Sequence, residues 1–594
     1  MDLQLGHCWN CVKRLPDASV RCDKCPFAEY CNIECKRKDG LRHLSFECQM
    51  YGIKRCDCCG ALGVKKECGQ CNELWYCNKE CQLQEWPDHK SECNIVKTSM
   101  KLMAKNFAVI NEAFDPSDGA IPRCANSKYY LCTHPAVDFL QLDNNEWSEI
   151  VRKKDLVRDY HVLSVASGTL SNTVLTVASL PAKYRGSLYI TLNDFDPLVM
   201  ARNVLFLFML VRFADTEGIE SSLTTIWYSV HIAKKEYDLI KTSLDELIQM
   251  TPQSLTEVTQ GLVKVQGEDL AVMSQVWDKW RSLECQRGKP TSVNNRARRK
   301  AWWEEEKSTK KVYLSRLTKV HKPYILKWFD DGLFLPIEAN EADMPLDNPT
   351  LTEPGYYYLK DDLRMLKDRS FMYCLRMDLD PFYAWDCPRV RESETRPCSS
   401  PIVMYHNYIT NLIQKVKHFI QQGRLHVQIS LADSLDFPSV HKSLKMPNYD
   451  RIFTSTLADF VGFPTILLRF KPLLNTENRF SVIVTASSTW GAHSEEVYVQ
   501  MNEATNSDIA HCHDTPMFVA YLIVNFMTGA VGSKPDGKKL SFNDVKTYNG
   551  MKMRDFRNKL NKLVPFQYNQ FARSLTLMSA FERAVEWCLP NNNA

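Results

Sequence analysis

Between Cys8 and Cys93 the chain runs twice through one ladder of cysteines and a histidine. The first copy reads Cys8-x2-Cys11, Cys22-x2-Cys25, Cys31-x3-Cys35, then His43-x4-Cys48. The second reads Cys56-x2-Cys59, Cys68-x2-Cys71, Cys77-x3-Cys81, then His89-x3-Cys93. A Cys-x2-Cys turn brings two sulfurs to one metal, and a Cys-x3-Cys pair shares one face of a helical turn. Each copy offers seven thiols and one imidazole. Tetrahedral zinc takes four such ligands, so the two copies predict four zinc ions. The competing reading, a disulfide framework, belongs to secreted domains. It is set aside because Met1-Asp2-Leu3-Gln4 opens no signal peptide.

The ladder resembles the MYND zinc finger. The second copy carries the match best, as Tyr76-Cys77-x3-Cys81-Gln82-x3-Trp86-x2-His89-x3-Cys93. The resemblance implies interleaved pairs. Cys56, Cys59, Cys77 and Cys81 would hold one ion, and Cys68, Cys71, His89 and Cys93 the other. In the first copy the sets would be Cys8, Cys11, Cys31, Cys35 and Cys22, Cys25, His43, Cys48. Cys58 is a spare thiol inside the first turn of the second copy, and Gly60 after Cys59 favours Cys59 as the ligand. MYND fingers bind protein, typically proline-containing peptides held by a hairpin and the adjoining helix. The resemblance therefore implies peptide contacts at Gln82 and Trp86. The first copy has Lys36 and Gly40 at those places, which weakens its partner surface more than its metal sites. Four protein ligands per ion leave no zinc-bound water for catalysis. A finger that only stabilises the fold is the plainer reading.

The 594 residues exceed one ordinary domain. The net charge of +4 is too small to argue for nucleic-acid or membrane binding by the chain as a whole. With 14 of 23 cysteines in the ladder, the scattered rest fits a reducing compartment. The apolar runs Val204 to Val211 and Met517 to Met527 are too short to span a bilayer. A cytoplasmic or nuclear protein is expected, with no membrane partner.

Residues 1–50 and 51–96 are the two fingers, and 97–150 a connector with a helical start. Beyond it the pattern changes. Val162 to Ala166 reads as a strand, followed by a turn at Ser167-Gly168-Thr169 and a helix from Asn172 to Leu180. Leu188 to Leu192 is a second strand, followed by Asn193-Asp194-Phe195-Asp196-Pro197 and a helix through Leu210. Strand, turn, helix, strand, acidic turn, helix opens an α/β sheet of the doubly wound kind. The pattern resumes at Leu425 to Ser430, which ends at Ala432-Asp433, and at Asp450 to Ser455. Thr465 to Phe470 and Phe480 to Thr485 read as further strands, and Asp555 to Trp587 as an amphipathic helical tail. The expected division is one sheet in two parts, 151–214 and 401–594, around an insertion at 215–400. Two separate domains are the alternative.

A second resemblance covers most of 150 to 500. Leu192-Asn193-Asp194-Phe195-Asp196-Pro197, Ala201-Arg202-Asn203, Asn348-Pro349-Thr350-Leu351 and Asp450 to Asp459 look like a domain of unknown function found beside MYND fingers. They are also similar to the core of axonemal dynein pre-assembly factors. This resemblance implies a Rossmann-like, methyltransferase-like sheet.

Sheets of that kind bind ligands at the carboxyl ends of their strands. Gly168, Asp194 or Asp196, and Asp433 fall at such ends. In a methyltransferase the first turn would face S-adenosylmethionine, the second its ribose and the third its adenine. A carboxylate accepts both ribose hydroxyls. The same acids cap helices routinely, and Ser167-Gly168-Thr169-Leu170-Ser171 keeps only one glycine for close cofactor approach.

Two features remain. His511-Cys512-His513-Asp514 has ligand chemistry but no distant partner pair. Residues 287–322 hold twelve Lys or Arg against three Glu, with Trp302 and Trp303 inside the run. Nucleic-acid contact or a nuclear signal competes there with a solvated basic helix, the plainer reading. The reading favoured overall is a zinc-binding intracellular adaptor: MYND fingers recruit partners, and a degenerate Rossmann-like body adds a second surface. The alternatives are an S-adenosylmethionine-dependent methyltransferase with a recruitment finger, and a nucleic-acid-associated regulator.

Overall fold

The computed structural model describes most of residues 8–42, 56–113, 130–286, 322–390, 400–490, 514–528, 540–564 and 582–590. It is a mixed α/β structure built on one nine-stranded sheet. In chain order its strands are β1 (Tyr160–Val165), β2 (Leu188–Asp194), β3 (Val263–Lys264), β4 (Leu425–Leu431) and β5 (Arg451–Phe453). They continue with β6 (Val482–Ser487), β7 (Thr547–Tyr548), β8 (Met551–Met553) and β9 (Arg583–Cys588). Across the sheet the order is β7-β8-β9-β6-β5-β1-β2-β4-β3. The six strands from β6 to β3 pair parallel, and β9, β8 and β7 add antiparallel.

Strand alternation divides the core between two faces. Val162 and Ile190 join one apolar cluster with helices α2 (Ser171–Ser179), α3 (Pro197–Arg212) and α4 (Pro401–Gln421). Leu163, Ile452, Ile483 and Trp587 join the other, with α5 (Phe463–Phe470) and α6 (Asp514–Thr528). Both faces are covered, which is why the central strands read as apolar runs rather than strict alternations.

Both copies of the ladder repeat one local plan, an antiparallel hairpin followed by a helix. In the first, Val20–Arg21 pairs with Glu29–Tyr30 and the helix is Ile33–Arg42. In the second, Lys66–Glu67 pairs with Trp75–Tyr76 and helix α1 is Lys79–Ala113. Helix α1 continues far beyond the finger and packs along α6. Cys68, Cys71, Cys93 and Val96 therefore share one apolar cluster with Leu163 and Trp587 of the sheet.

Two readings are corrected. Thr465 to Phe470 is not a strand; it lies in helix α5. Pro464 sits at that helix's start, where its missing N–H costs nothing. Phe463, Ile466, Leu467 and Phe470 then bury at helical spacing. The tail from Asp555 to Trp587 is not one amphipathic helix. Its end is β9, buried on both faces, and 565–581 lies outside the described residues. Asn549-Gly550 turns β7 into β8 with φ of 48° and 65° at the two residues. This is the left-handed pair that a two-residue hairpin demands.

Candidate metal centres and strand-end crevice

The described residues bring the ladder's ligands into three groups, with the ligand atoms of each lying within 4.8 Å of one another. Cys56, Cys59, Cys77 and Cys81 form one, and Cys68, Cys71, His89 and Cys93 form another, buried throughout. Cys8, Cys31 and Cys35 form the third. Cys11, Cys25, His43 and Cys48 lie outside the described residues, as do His511, Cys512 and His513 and nearly all of 287–322. Cys22 is described, whereas its expected co-ligands Cys25, His43 and Cys48 lie outside the described residues.

The donor sets fit zinc. Two sulfurs on one tetrahedral zinc stand about 3.8 Å apart. Here Cys59 and Cys77 are 3.4 Å apart, Cys59 and Cys81 4.0 Å, Cys68 and Cys93 3.8 Å, and Cys31 and Cys35 3.4 Å. A disulfide would need about 2.0 Å. His89 turns Nε2 to the Cys71 sulfur at 3.3 Å, so Nε2 is the nitrogen placed to meet a metal there. Burial, then the charge of Cys68, pushes the Cys93 thiol up to about 11. A divalent ion reverses that balance, because a coordinating thiol gives up its proton.

Gln82 and Trp86 stand one helical turn apart on α1, both half-buried. The Trp86 ring meets His89 edge-on, 5.9 Å between centroids. Pro87 follows inside the helix and has no N–H to give the Leu83 carbonyl. Leu83 itself is 63% exposed.

The three strand-end turns converge. Asp194 accepts from the Gly168 N–H at 2.9 Å and from the Asp196 N–H at 3.1 Å. Asn193 donates to the Ala432 carbonyl at 3.0 Å, reaching the turn that holds Asp433. Asn203 of α3 donates to the Gly168 carbonyl at 2.7 Å. Gly168 has φ +57°, and Ala166 just before it has φ 49°. Asp196 caps α3, accepting from Leu198 N–H at 2.9 Å. Asp433 accepts from Leu435 N–H at 2.8 Å within its own turn. Burial raises the Asp194 carboxyl to about 6 against the two backbone donors, and the nearby Asp196 charge adds to the rise.

Sequence reasoning missed Arg202 and Arg451 as buried cations. Arg202 donates to the carbonyls of Ile226 and Trp227 at the end of helix Ile219–Tyr228, and to Tyr130. Arg451 pairs with Glu146 at 2.7 Å. Both arginines lie in stretches singled out for other reasons, and a charge inside an apolar run was the available signal.

Comparison with known proteins agrees with this geometry. The MYND finger family matches residues 56–93. A domain of unknown function, DUF4470, matches residues 131–232. Dauer abnormal formation protein 25 of Caenorhabditis elegans is 47% identical over 47 residues, 8% of this chain and 12% of that protein. N-lysine methyltransferase SMYD2 of Mus musculus is 36% identical over 74 residues, 11% of this chain and 16% of that protein. SMYD2-A of Danio rerio is 50% identical over 42 residues, 7% and 9% of the two chains. The chain thus spans less than a fifth of the length of these relatives. No solved structure matches. No helix among the described residues is long and apolar enough to cross a membrane. The chain combines a MYND finger, a protein-interaction zinc module, with a DUF4470 domain.

Proposed function

We propose that this protein is an adaptor of the cytoplasm or nucleus that holds four zinc ions and captures proline-containing peptides on its second finger. The observation that carries the reading is the pair Gln82 and Trp86. They sit on one turn of α1, half-buried, directly before the ligand His89. An aromatic ring that is packed on one side and open on the other is the usual anchor of a peptide interface. The first finger has Lys36 and Gly40 in place of this pair. It supports the fold through its metal more than it recruits.

The body is Rossmann-like in this reading. The order β4-β2-β1-β5-β6 places the chain's change of direction between β1 and β5, as in doubly wound sheets. A methyltransferase is the second reading, favoured by that order and by the convergence of the three turns. The similarity to N-lysine methyltransferases does not extend it, because so little of either chain is matched. Against it, Asp196 and Asp433 accept backbone hydrogen bonds within their own turns, and Asp194 accepts one from its own turn and one from Gly168. They act as stitches and caps. The body then serves as a second binding surface.

Fluorescence anisotropy with a panel of labelled proline-containing peptides tests the adaptor reading on the full chain. Saturable binding that Trp86→Ala removes supports it. Equal binding by the wild type and the variant would reject it.

A further inference from the structure

We propose that a cavity between the DUF4470 part of the body and helix α4 binds a short zwitterion with an aliphatic side chain, an amino acid or a dipeptide. The cavity measures about 320 Å³ and lies between the end of α2, the segment 138–144 and helix α4. Small-ligand sites start near this size, roughly 300 Å³.

Three kinds of group line it. Leu175, Leu180 and Leu412 supply apolar wall. Asp138, Asp143, Arg389 and Lys415 supply two charges of each sign; Asp138 and Arg389 have partners of their own, whereas Asp143 and Lys415 make no ion pair among the described residues. Gln141 supplies an amide. Gln141 is only 7% exposed, yet its side chain makes no hydrogen bond among the described residues. Its amide atoms stay reachable from solvent, so a ligand entering the cavity can take them as partners in place of water.

The backbone at Gln141 points the same way. Its φ is 41° and its ψ 53°, the left-handed region that side-chain-bearing residues rarely adopt. Asn145 Nδ2 holds the Gln141 carbonyl at 2.9 Å, and Asn144 N–H at 2.9 Å. These bonds maintain a strained conformation in a residue that lines the cavity. Strain of this kind gathers where a side chain must be presented. A zwitterion satisfies each element: its ammonium meets Asp143, its carboxylate meets Lys415, a peptide amide meets Gln141, and the leucines take the side chain.

Leucyl-leucine added to the full-length protein is the probe, read by thermal shift and by calorimetric titration. Saturable binding with a raised melting temperature is expected. N-acetyl-leucyl-leucine amide, which lacks both charges, should bind at least tenfold more weakly. Lys415→Glu and Asp143→Lys change exposed or half-exposed side chains and should fold; each should weaken the dipeptide at least tenfold. Gln141→Gly relieves the strain, so it should raise the melting temperature of the free protein while weakening the dipeptide. Equal affinity for the blocked peptide, no shift at 10 mM dipeptide (roughly a hundredfold excess over a 0.1 mM site), or full binding by Lys415→Glu would each overturn the assignment.

Discussion

Asp194 accepts a hydrogen bond from the Gly168 N–H at 2.9 Å, joining the turn after β2 to the turn after β1. The same carboxylate takes the Asp196 N–H at 3.1 Å. One buried side chain therefore sets the shape of the crevice floor, and Asn193 beside it extends the stitching to the turn after β4. Burial keeps the Asp194 proton bound up to about pH 6, against an ordinary value of 3.8.

That difference fixes the sign of a pH effect. Between the two values the native state holds a proton that the unfolded chain releases, so stability falls as pH rises. The full cost, about 3 kcal/mol, is reached above pH 6. Asp194→Asn cannot ionise. Melting temperatures of both proteins from pH 4.5 to 8 should show the wild type losing ground to the variant as pH rises to about 6.5. Zinc ligands titrate in both proteins, so their contribution cancels in the difference. Parallel curves would mean that Asp194 is not held protonated.

Much of this was legible in the residues. Of the four ligand sets that the ladder's spacing foretells, two are complete among the described residues and Cys8, Cys31 and Cys35 form part of a third, because short-range pairs hold their geometry without help from the rest of the fold. β1, β2 and β4 were legible as apolar runs that end in turn residues. Helix α5 was not, since Thr465 to Phe470 is a short apolar run whose period is ambiguous until its partners are known. β9 was hidden for another reason. Its Glu586 is fully buried, accepting from Arg554 at 2.6 Å and from the N–H groups of Lys562, Leu563 and Val564. A charge inside a strand suggests solvent, and only the tertiary partners explain it. The Asn549-Gly550 turn was a readable hairpin signal that the sequence reading passed over. The left-handed backbone at Gln141 had no sequence signal at all.

Metal content comes next. Elemental analysis of the purified chain should give four zinc ions, and Cys71→Ser should give three or fewer. The variant should also lower the melting temperature of the body, because Cys71 shares its apolar cluster with Val96, Phe518 and Trp587. Structural zinc contributes on the order of 10 kcal/mol to small domains. Two ions in the wild type would remove the first finger from the metal-binding part.

Trp86→Ala should weaken a proline-containing peptide by about 2 kcal/mol, roughly thirtyfold in Kd. Gln82→Ala should cost less, as one hydrogen bond contributes about 1 kcal/mol. Zinc content should stay at its wild-type value in both. If Trp86→Ala loses metal, the ring belongs to the finger's own core and carries no binding role.

The pair Glu146 and Arg451 gives a test of the body alone. Their side chains are 2.7 Å apart and almost fully buried, and Asn478 adds a donor to Glu146 at 3.1 Å. Glu146→Ala strands a buried guanidinium and should cost about 3–5 kcal/mol. The double change Glu146→Leu with Arg451→Met removes both charges and should recover most of that loss, as read by denaturant midpoints. A double variant as unstable as the single one would show that the pair's shape, rather than its charge, holds β5 to the segment before β1.

S-adenosylmethionine separates the two readings of the body. A cofactor in the crevice would need a carboxylate free to take two ribose hydroxyls and a first turn open to the methionine end. Both Asp194 oxygens already accept backbone N–H groups, and Asp196 is committed to the start of α3. The turn itself is less closed than its single glycine suggests. A Cβ placed on Gly168 would meet nothing within 4 Å, so space alone does not bar a ligand. The deciding quantity is the hydrogen bonding that the ribose would have to displace. Each displaced bond leaves a buried N–H unpaired, at about 1–3 kcal/mol. The adaptor reading therefore expects no thermal stabilisation by millimolar S-adenosylmethionine. A ligand present at a hundred times its Kd would contribute about 2.7 kcal/mol and shift the melting curve visibly. A clear upward shift that Asp194→Ala abolishes, with Asp433→Ala weakening it, would make the methyltransferase the leading reading. A shift that survives both changes would place the ligand elsewhere in the body and leave the crevice as a structural joint.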